Sequence, residues 1–121
     1  MTKLSTTLET ASASKYLQQM CKHFAHKVPA EWNEETAKIT FEPGICTMTA
    51  EDGGLAINLE GNTTEDAQRL IYVIESHLMR FAWREEVDLD WVNQDGEPVS
   101  KSTKVIELLT PEREELRKKR K

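Results

Sequence analysis

The sequence predicts an α+β fold, in which an antiparallel sheet of about five strands carries two helices on one face, in the chain order β-α-β-β-β-α-β. Five short segments alternate apolar and polar residues, as strands do in an antiparallel sheet that is covered on one side. Two longer segments instead repeat apolar residues at helical spacing. Packing both apolar stripes on the same sheet face is the economical way to bury them.

The first predicted strand and helix lie between residues 4 and 27. Residues 4–9, LSTTLE, alternate and are rich in threonine, which favours a strand. Thr10 is the expected N-cap of a helix that continues through Lys27. The helix must end near Pro29, because the residue before a proline avoids the helical conformation. Its apolar stripe recurs at i, i+3, i+4 and i+7 and comprises Leu17, Met20, Cys21 and Phe24.

Three strands separated by turns follow the first helix. They are predicted at residues 37–41, 46–50 and 55–59, each with one apolar and one polar face. Pro43-Gly44 and the EDGG segment at residues 51–54 supply the turns between them.

The second helix and the last predicted strand complete the domain. Thr63 with Asp66 resembles a capping box, and the helix is expected to run to about Arg84. Residues 87–91 alternate again and predict a strand. The stripe that the second helix should bury comprises Ala67, Leu70, Ile71, Ile74, Leu78, Phe81 and Ala82.

Residues 1–92 are therefore predicted to form one domain, and residues 93–121 a linker and charged tail that is helical or disordered. Thr110-Pro111-Glu112 would start a short helix, with a cap, a proline in the first position and an acid in the first turn. The last ten residues contain six Lys/Arg and three Glu and therefore carry a charge of +3. Because the net charge of the chain is −5, the remaining residues carry −8. An acidic body argues against nucleic acid as the main partner, and the basic end is expected to solubilise.

The sequence composition also indicates where in the cell the protein is expected to be located. No apolar run approaches the roughly 20 residues that cross a membrane, so no membrane association is expected. The first 14 residues lack the apolar region of a secretory signal. Two cysteines are too few for a disulfide framework, which favours a reducing, cytoplasmic location.

The stretch CKHFAHK, residues 21–27, contains a thiol and two imidazoles within seven residues. At about 100° per residue, Cys21 falls inside the apolar stripe and His23 points about 160° away from it. The two side chains therefore cannot ligate one ion or form a nucleophile–base pair on a straight helix. Cys21 and Cys46 are both expected to be small core residues.

His23 and His26 are predicted to share the outer face of the first helix. They are three residues apart, and Lys22 and Lys27 flank them. Two imidazoles at this spacing could hold a transition metal with further ligands, or contact an anionic ligand. The alternative is an ordinary solvated helix face.

A second candidate row lies on the second helix. His77, Arg80 and Arg84 are spaced i, i+3, i+7 and could bind carboxylate, phosphate or catecholate oxygens. If both helices cover the same sheet face, this row and the histidines of the first helix would border one groove. The alternative is ion pairing with the nearby acids Glu75, Glu85, Glu86, Asp88 and Asp90.

A stripe of Tyr72, Met79 and Trp83 is predicted on the side of the second helix opposite its buried residues. An aligned apolar stripe on a surface indicates a contact face, and homodimerisation is the simplest use of it. The alternative is that the tail segment at residues 105–109 folds back over it.

The sequence has no P-loop, GxSxG, GxGxxG or CxxC motif, so nothing in it specifies an enzyme.

Three segments resemble a bacterial family, domain of unknown function 2218, over roughly residues 5–92. They are ASKYLQQMCKHFAHK, ITFEPGICTMTAEDGGLAINLE and IESHLMRFAWREEVDLDW. The resemblance implies an association with siderophore-interacting, flavin-dependent ferric reductases, beside or joined to which similar domains occur. The family pattern falls on Cys21, Lys22, His23, His26, Lys27, Cys46, His77, Arg80, Phe81, Arg84 and Glu85.

Two functional hypotheses follow. The first is a non-catalytic binding module in bacterial iron handling, which holds an iron chelate or a transition metal through His23, His26 and His77. The cations that would neutralise the ligand are Lys22, Lys27, Arg80 and Arg84. The second is an interaction domain that dimerises, or docks on a siderophore-reductase-type protein, through the Tyr72, Met79 and Trp83 stripe. An enzyme using His23 or His77 as a base would need a concave pocket around it.

Overall fold

The computed structural model describes residues 1–120 and shows one antiparallel sheet with three helices. Along the chain the elements are β1 (Thr2–Glu9), α1 (Ala13–Phe24), β2 (Ala30–Trp32), β3 (Thr36–Phe41), β4 (Gly44–Glu51), β5 (Gly54–Gly61), α2 (Thr64–Phe81), β6 (Trp91–Val92), β7 (Pro98–Val99) and α3 (Thr103–Lys119). The strand order in the sheet is β2-β3-β4-β5-β1-β6-β7. The predicted fold class is confirmed. The predicted numbers of about five strands and two helices were wrong, because residues 1–120 form seven strands and three helices. None of the helices in that span is long and apolar enough to cross a bilayer.

The helices α1 and α2 lie on one face of the sheet. α1 packs on β2, β3, β4 and β5, whereas α2 packs on β5, β1 and β4. The strand residues on this face are buried, among them Ile39, Cys46, Ile57 and Leu4. The opposite face is polar; one of its rows across the strands is Lys38, Thr47, Asn58 and Ser5.

Both predicted helices are shorter than expected. α1 begins after Ser12 because the Thr10 hydroxyl accepts a hydrogen bond from the Ser12 backbone N–H at 3.1 Å and donates one to Glu85 at 2.9 Å. α1 ends at Phe24, and residues 25–27 form a turn instead of a further helical turn. The Thr63 cap of α2 is confirmed, since its hydroxyl accepts from the Asp66 N–H at 3.0 Å.

The predicted strand at residues 87–91 does not form, because side chains use its backbone groups. The Val87 carbonyl accepts from Arg113 at 3.1 Å, and the Leu89 N–H donates to Glu75 at 3.4 Å. The Asp90 carbonyl accepts from the Thr6 hydroxyl at 2.7 Å. Only Trp91 reaches a strand, β6, although the apolar residues of the segment are buried as the alternation predicted.

Two short strands were not predicted. β2 has three residues that pair with β3, and the Asn33 side chain closes the turn by accepting from the N–H groups of Glu35 and Thr36, both at 2.8 Å. β7 has two residues that pair with β6 in the segment interpreted as a linker. Segments this short carry too few residues for a period of two to be detected.

The tail is an ordered helix rather than a frayed or disordered end. α3 begins after Ser102, whose hydroxyl accepts from the Val105 N–H at 3.3 Å, and continues through Pro111. The expected start at Thr110 was therefore wrong by about two turns. Val105 and Leu109 are buried, and α3 packs along α2, which supplies stability that its own sequence lacks.

The basic end of α3 is used in contacts within the chain. Arg117 and Arg120 pair with Glu86 at 2.7 and 2.5 Å. Arg120 also donates to the backbone carbonyls of Trp83 and Glu85 at 3.0 and 2.9 Å. The interpretation as a solvated tail was wrong for these residues, because the acidic loop that follows α2 binds them.

Candidate binding site between the first two helices

His23 and His77 meet where α1 and α2 run side by side. His23 lies in the last turn of α1, and His77 lies more than a turn before the end of α2. Their ring centroids are 4.9 Å apart, with the ring planes inclined at 48°. His23 is exposed and His77 is half-buried. The fold therefore brings together one candidate ligand from each of the two predicted rows.

The backbone of α2 fixes the tautomer and orientation of His77. Its Nδ1 atom lies 2.7 Å from the Val73 carbonyl oxygen, which can only accept, so Nδ1 carries the proton. Burial lowers the pKa of His77, and the charges of Arg80 and His23 lower it further, against the opposing hydrogen bond to Val73. The neutral ring keeps its Nε2 lone pair, which is the form that binds metal ions. A metal-binding histidine usually donates its second ring nitrogen to a carbonyl in this way.

Aromatic side chains surround the two imidazoles. Phe24 packs against both, at 5.0 Å from His23 and 4.8 Å from His77 between ring centroids. Phe81 packs on His23 at 5.8 Å, and Phe41 packs on Phe24 at 5.0 Å. Such edge and tilted contacts hold rings in defined positions. The pair thus rests on a largely apolar base that limits its motion.

The separation of the two rings suits a shared metal ion. An imidazole nitrogen binds zinc-like ions at about 2.0–2.1 Å, which puts the ring centroid about 3.2 Å from the metal. Two such rings at an angle of about 90–110° would have centroids about 4.5–5.2 Å apart. The observed 4.9 Å lies within that interval. The spacing therefore matches two neighbouring positions of a metal coordination sphere.

The predicted set of three histidines is not assembled. Residues 1–120 contain no group of three or more His, Cys, Asp or Glu side chains that could hold a metal ion. His26 is exposed in the turn after α1, and no ring contact within that span joins it to the other two histidines. The reason is the early end of α1 at Phe24, which removes His26 from the helical face it was predicted to share with His23.

The cations predicted to neutralise a ligand are placed differently from one another. Lys22 and Lys27 are exposed. Arg80 donates to Glu112 of α3 through Nε and through Nη2, the latter at 3.3 Å. Arg84 lies beyond the end of α2 and stacks over Trp83, at 4.7 Å from its ring centroid. Of the predicted row, therefore, only His77 and Arg80 lie on α2, and Arg84 lies outside the helix.

The stripe predicted as an exposed interface lies beside α3. Met79 is only 2% exposed, so its predicted exposure was wrong. Tyr72 and Trp83 are half-buried, and Lys119 of α3 lies 4.6 Å from the Trp83 ring centroid. The alternative, that the tail folds back over this side of α2, is the one that the structure shows. An interface role for Tyr72 and Trp83 remains a prediction.

Glu75 is the residue whose role the sequence did not reveal. It is fully buried and accepts from Lys101 and Arg113, both at 2.6 Å. The Trp91 indole N–H and the Leu89 N–H donate to it at 3.3 and 3.4 Å. The sequence signal was a carboxylate next to the apolar stripe of α2, which predicts a buried cation partner but does not say where that partner lies.

The two cysteines are core residues, as predicted. Cys21 and Cys46 are both fully buried. Burial raises the pKa of Cys21 to about 11, and it raises the pKa of Cys46 as well. Thiols in this state are poor nucleophiles and poor ligands, so they contribute packing rather than chemistry.

The histidine pair is a surface site. Three surface depressions of about 800, 520 and 800 Å³ lie between β6–β7 and α3, beside β2–β4, and between α2 and α3. None of the three is lined by His23, His26 or His77. None of these three depressions therefore forms the pocket around His23 or His77 that a catalytic base would require.

Fold and site together define a small single-sheet α+β domain with two adjacent imidazoles at the junction of its helices. Residues 5–92 match the family described as "Uncharacterized protein conserved in bacteria (DUF2218)", and the chain belongs to that family. α3 lies outside the matched residues.

A solved structure and a wider search complete the comparison. The NMR structure of PA4090 from Pseudomonas aeruginosa is similar to this chain, with 27% sequence identity and a TM-score of 0.66. The similarity covers 80% of this chain and 99% of that protein. No curated protein matches the chain. The family and the fold are therefore shown, and the activity has to be argued from the site.

Proposed function

We propose that this protein is a non-catalytic binding module in which His23 and His77 complete the coordination of a transition-metal chelate. The observation that carries the proposal is the ring pair at 4.9 Å, with the His77 Nδ1–H held by the Val73 carbonyl. Two imidazoles alone do not saturate a metal ion, so the remaining ligands must come with the metal. A chelate that leaves two neighbouring positions open fits this requirement.

The charge around the pair favours an anionic chelate. Lys22 precedes His23, Lys27 follows the end of α1, and Arg80 lies one turn after His77; all three are exposed, and Arg80 is paired with Glu112. Imidazole suits iron, copper, nickel and zinc, and an oxygen-rich chelator would supply the harder ligands that ferric iron prefers. The resemblance to domains found beside siderophore-interacting reductases makes ferric siderophores the first natural ligand class to test.

Calorimetric titration with Ni²⁺ nitrilotriacetate, which leaves two neighbouring positions open, tests the proposal. We expect one complex to bind per chain, and His23→Asn and His77→Asn each to weaken binding at least about tenfold, since loss of even an outer-shell partner of a ligand costs about 10–100-fold in metal affinity. Asn at position 77 can still donate to the Val73 carbonyl, so the variant removes the Nε2 ligand and keeps the local structure.

The matched control is His26→Asn, which removes the third histidine without touching the pair. It should bind as the wild type does. Undiminished binding by the His23→Asn/His77→Asn double variant would show that the pair is not the site.

A further inference from the structure

The helix α3 reaches the edge of the histidine pair through one contact. Arg80 follows His77 by three residues, so the two side chains are neighbours on α2. Glu112 of α3 binds the Arg80 guanidinium through both of its carboxylate oxygens.

The Arg80–Glu112 contact has the form in which an arginine binds the carboxylate of a ligand. A guanidinium binds a carboxylate through two parallel N–H···O bonds, whichever molecule the carboxylate belongs to. The side chains are 49% and 24% exposed, so the pair is open to exchange with a solute. Exposed ion pairs contribute little to stability, so a bound anionic ligand can readily displace Glu112.

Resting on the proposed function, we infer that Arg80 selects an anionic chelate at the histidine pair and that Glu112 is a built-in competitor for it. In the unliganded protein Glu112 occupies the guanidinium. A chelate carboxylate, placed beside His77 by its metal, displaces Glu112 and takes both N–H bonds. Affinity for an anionic chelate is thereby reduced by the competition, whereas a cationic chelate gains nothing from Arg80.

Two nickel complexes with the same open positions and opposite charge distinguish this role. Ni²⁺ nitrilotriacetate has a net negative charge, whereas Ni²⁺ tris(2-aminoethyl)amine has a net positive charge. The quantity measured is the ratio of their affinities by calorimetry. Glu112→Gln should raise this ratio about two- to fivefold in favour of the anionic complex, and Arg80→Met should lower it by a similar factor.

Two further variants make the test specific. Glu114→Gln removes a carboxylate from an exposed position of the same helix and should leave the ratio unchanged. In an Arg80→Met background, Glu112→Gln should no longer raise the ratio. Loss of α3 docking is not expected in any of them, because Lys101 and Arg113 still bind Glu75.

The outcomes separate this inference from the proposed function. If both complexes bind the wild type but the ratio does not respond to Glu112→Gln and Arg80→Met, or responds equally to Glu114→Gln, the inference is wrong and the metal site stands. If neither complex binds the wild type or the Glu112→Gln variant, the proposed function itself is wrong.

Discussion

Replacing the buried Glu75 by glutamine should lower the free energy of unfolding by about 3 kcal/mol. The substitution keeps the shape of the side chain but leaves Lys101 and Arg113, each only 12% exposed, facing a neutral amide. Breaking a buried ion pair by removing one partner costs about 3–5 kcal/mol. Asp88 lies 2.9 Å from Lys101 and 3.5 Å from Arg113 and still compensates part of their charge, which places the cost near the lower limit.

Urea unfolding followed by tryptophan fluorescence measures this cost, because Trp91 contacts Glu75 directly. The matched control is Glu86→Gln, which also removes a carboxylate that binds cations of α3, but one that is 45% exposed. An exposed pair is worth less than about 1 kcal/mol. If Glu75→Gln costs no more than Glu86→Gln, then α3 is not held by a buried ionic cluster and our account of its docking is wrong.

Three further predictions concern pH, an unpaired atom and oligomeric state. Hydrogen bonds from Arg117 and Lys101 lower the pKa values of Glu86 and Asp88 below 4.5 and 3.8, so their stabilisation is complete above those values and is lost as the pH falls through the lowered ones. The urea midpoint should therefore fall as the pH is lowered below about 4.5, and it should fall by less in a Glu86→Gln/Asp88→Asn variant; equal falls would contradict this. Gln19 Oε1 is buried without a hydrogen-bond partner, so Gln19→Leu should raise the free energy of unfolding by about 1 kcal/mol, and a loss in the same urea assay would show that the oxygen is paired. If Tyr72 and Trp83 form a dimer interface, Tyr72→Ser/Trp83→Ser should halve the mass measured by light scattering; a monomeric wild type would exclude that role.

Periodicity predicted the parts of the fold that have a regular apolar face. The strands β1, β3, β4 and β5 and the helices α1 and α2 all lie where alternation or helical spacing indicated them. The rotation of about 100° per residue also placed Cys21 inward and His23 outward, as the structure shows. These features depend on neighbouring residues alone, so a single sequence is enough to predict them.

The helix α3 could not be predicted in the same way, because charged side chains from distant segments hold it. Its few buried apolar residues, Val105 and Leu109, form only a weak apolar stripe. Lys101 and Arg113 are far from Glu75 in the sequence, and they pair with it only once the chain has folded. Hydrogen bonds from distant side chains to the backbone also explain why residues 87–90 do not form the predicted strand. Periodicity reports which residues are buried, but not which distant partner takes their backbone hydrogen bonds.

The placement of the candidate site residues was predicted only in part, for a related reason. The candidate residues on each helix came from local spacing, whereas the meeting of His23 with His77 depends on how α1 and α2 lie side by side. His26 was included because the helix was expected to reach Lys27, and an end misplaced by three residues was enough to remove it from the face.

The central claim, that His23 and His77 bind one metal ion together, is tested most directly by counting the imidazoles that coordinate it. Electron spin-echo envelope modulation of the protein loaded with Cu²⁺ iminodiacetate gives that number. We predict two coordinated imidazoles in the wild type and in His26→Asn, and one in His23→Asn or His77→Asn. A single imidazole in the wild type, or two that persist in His77→Asn, would contradict the account.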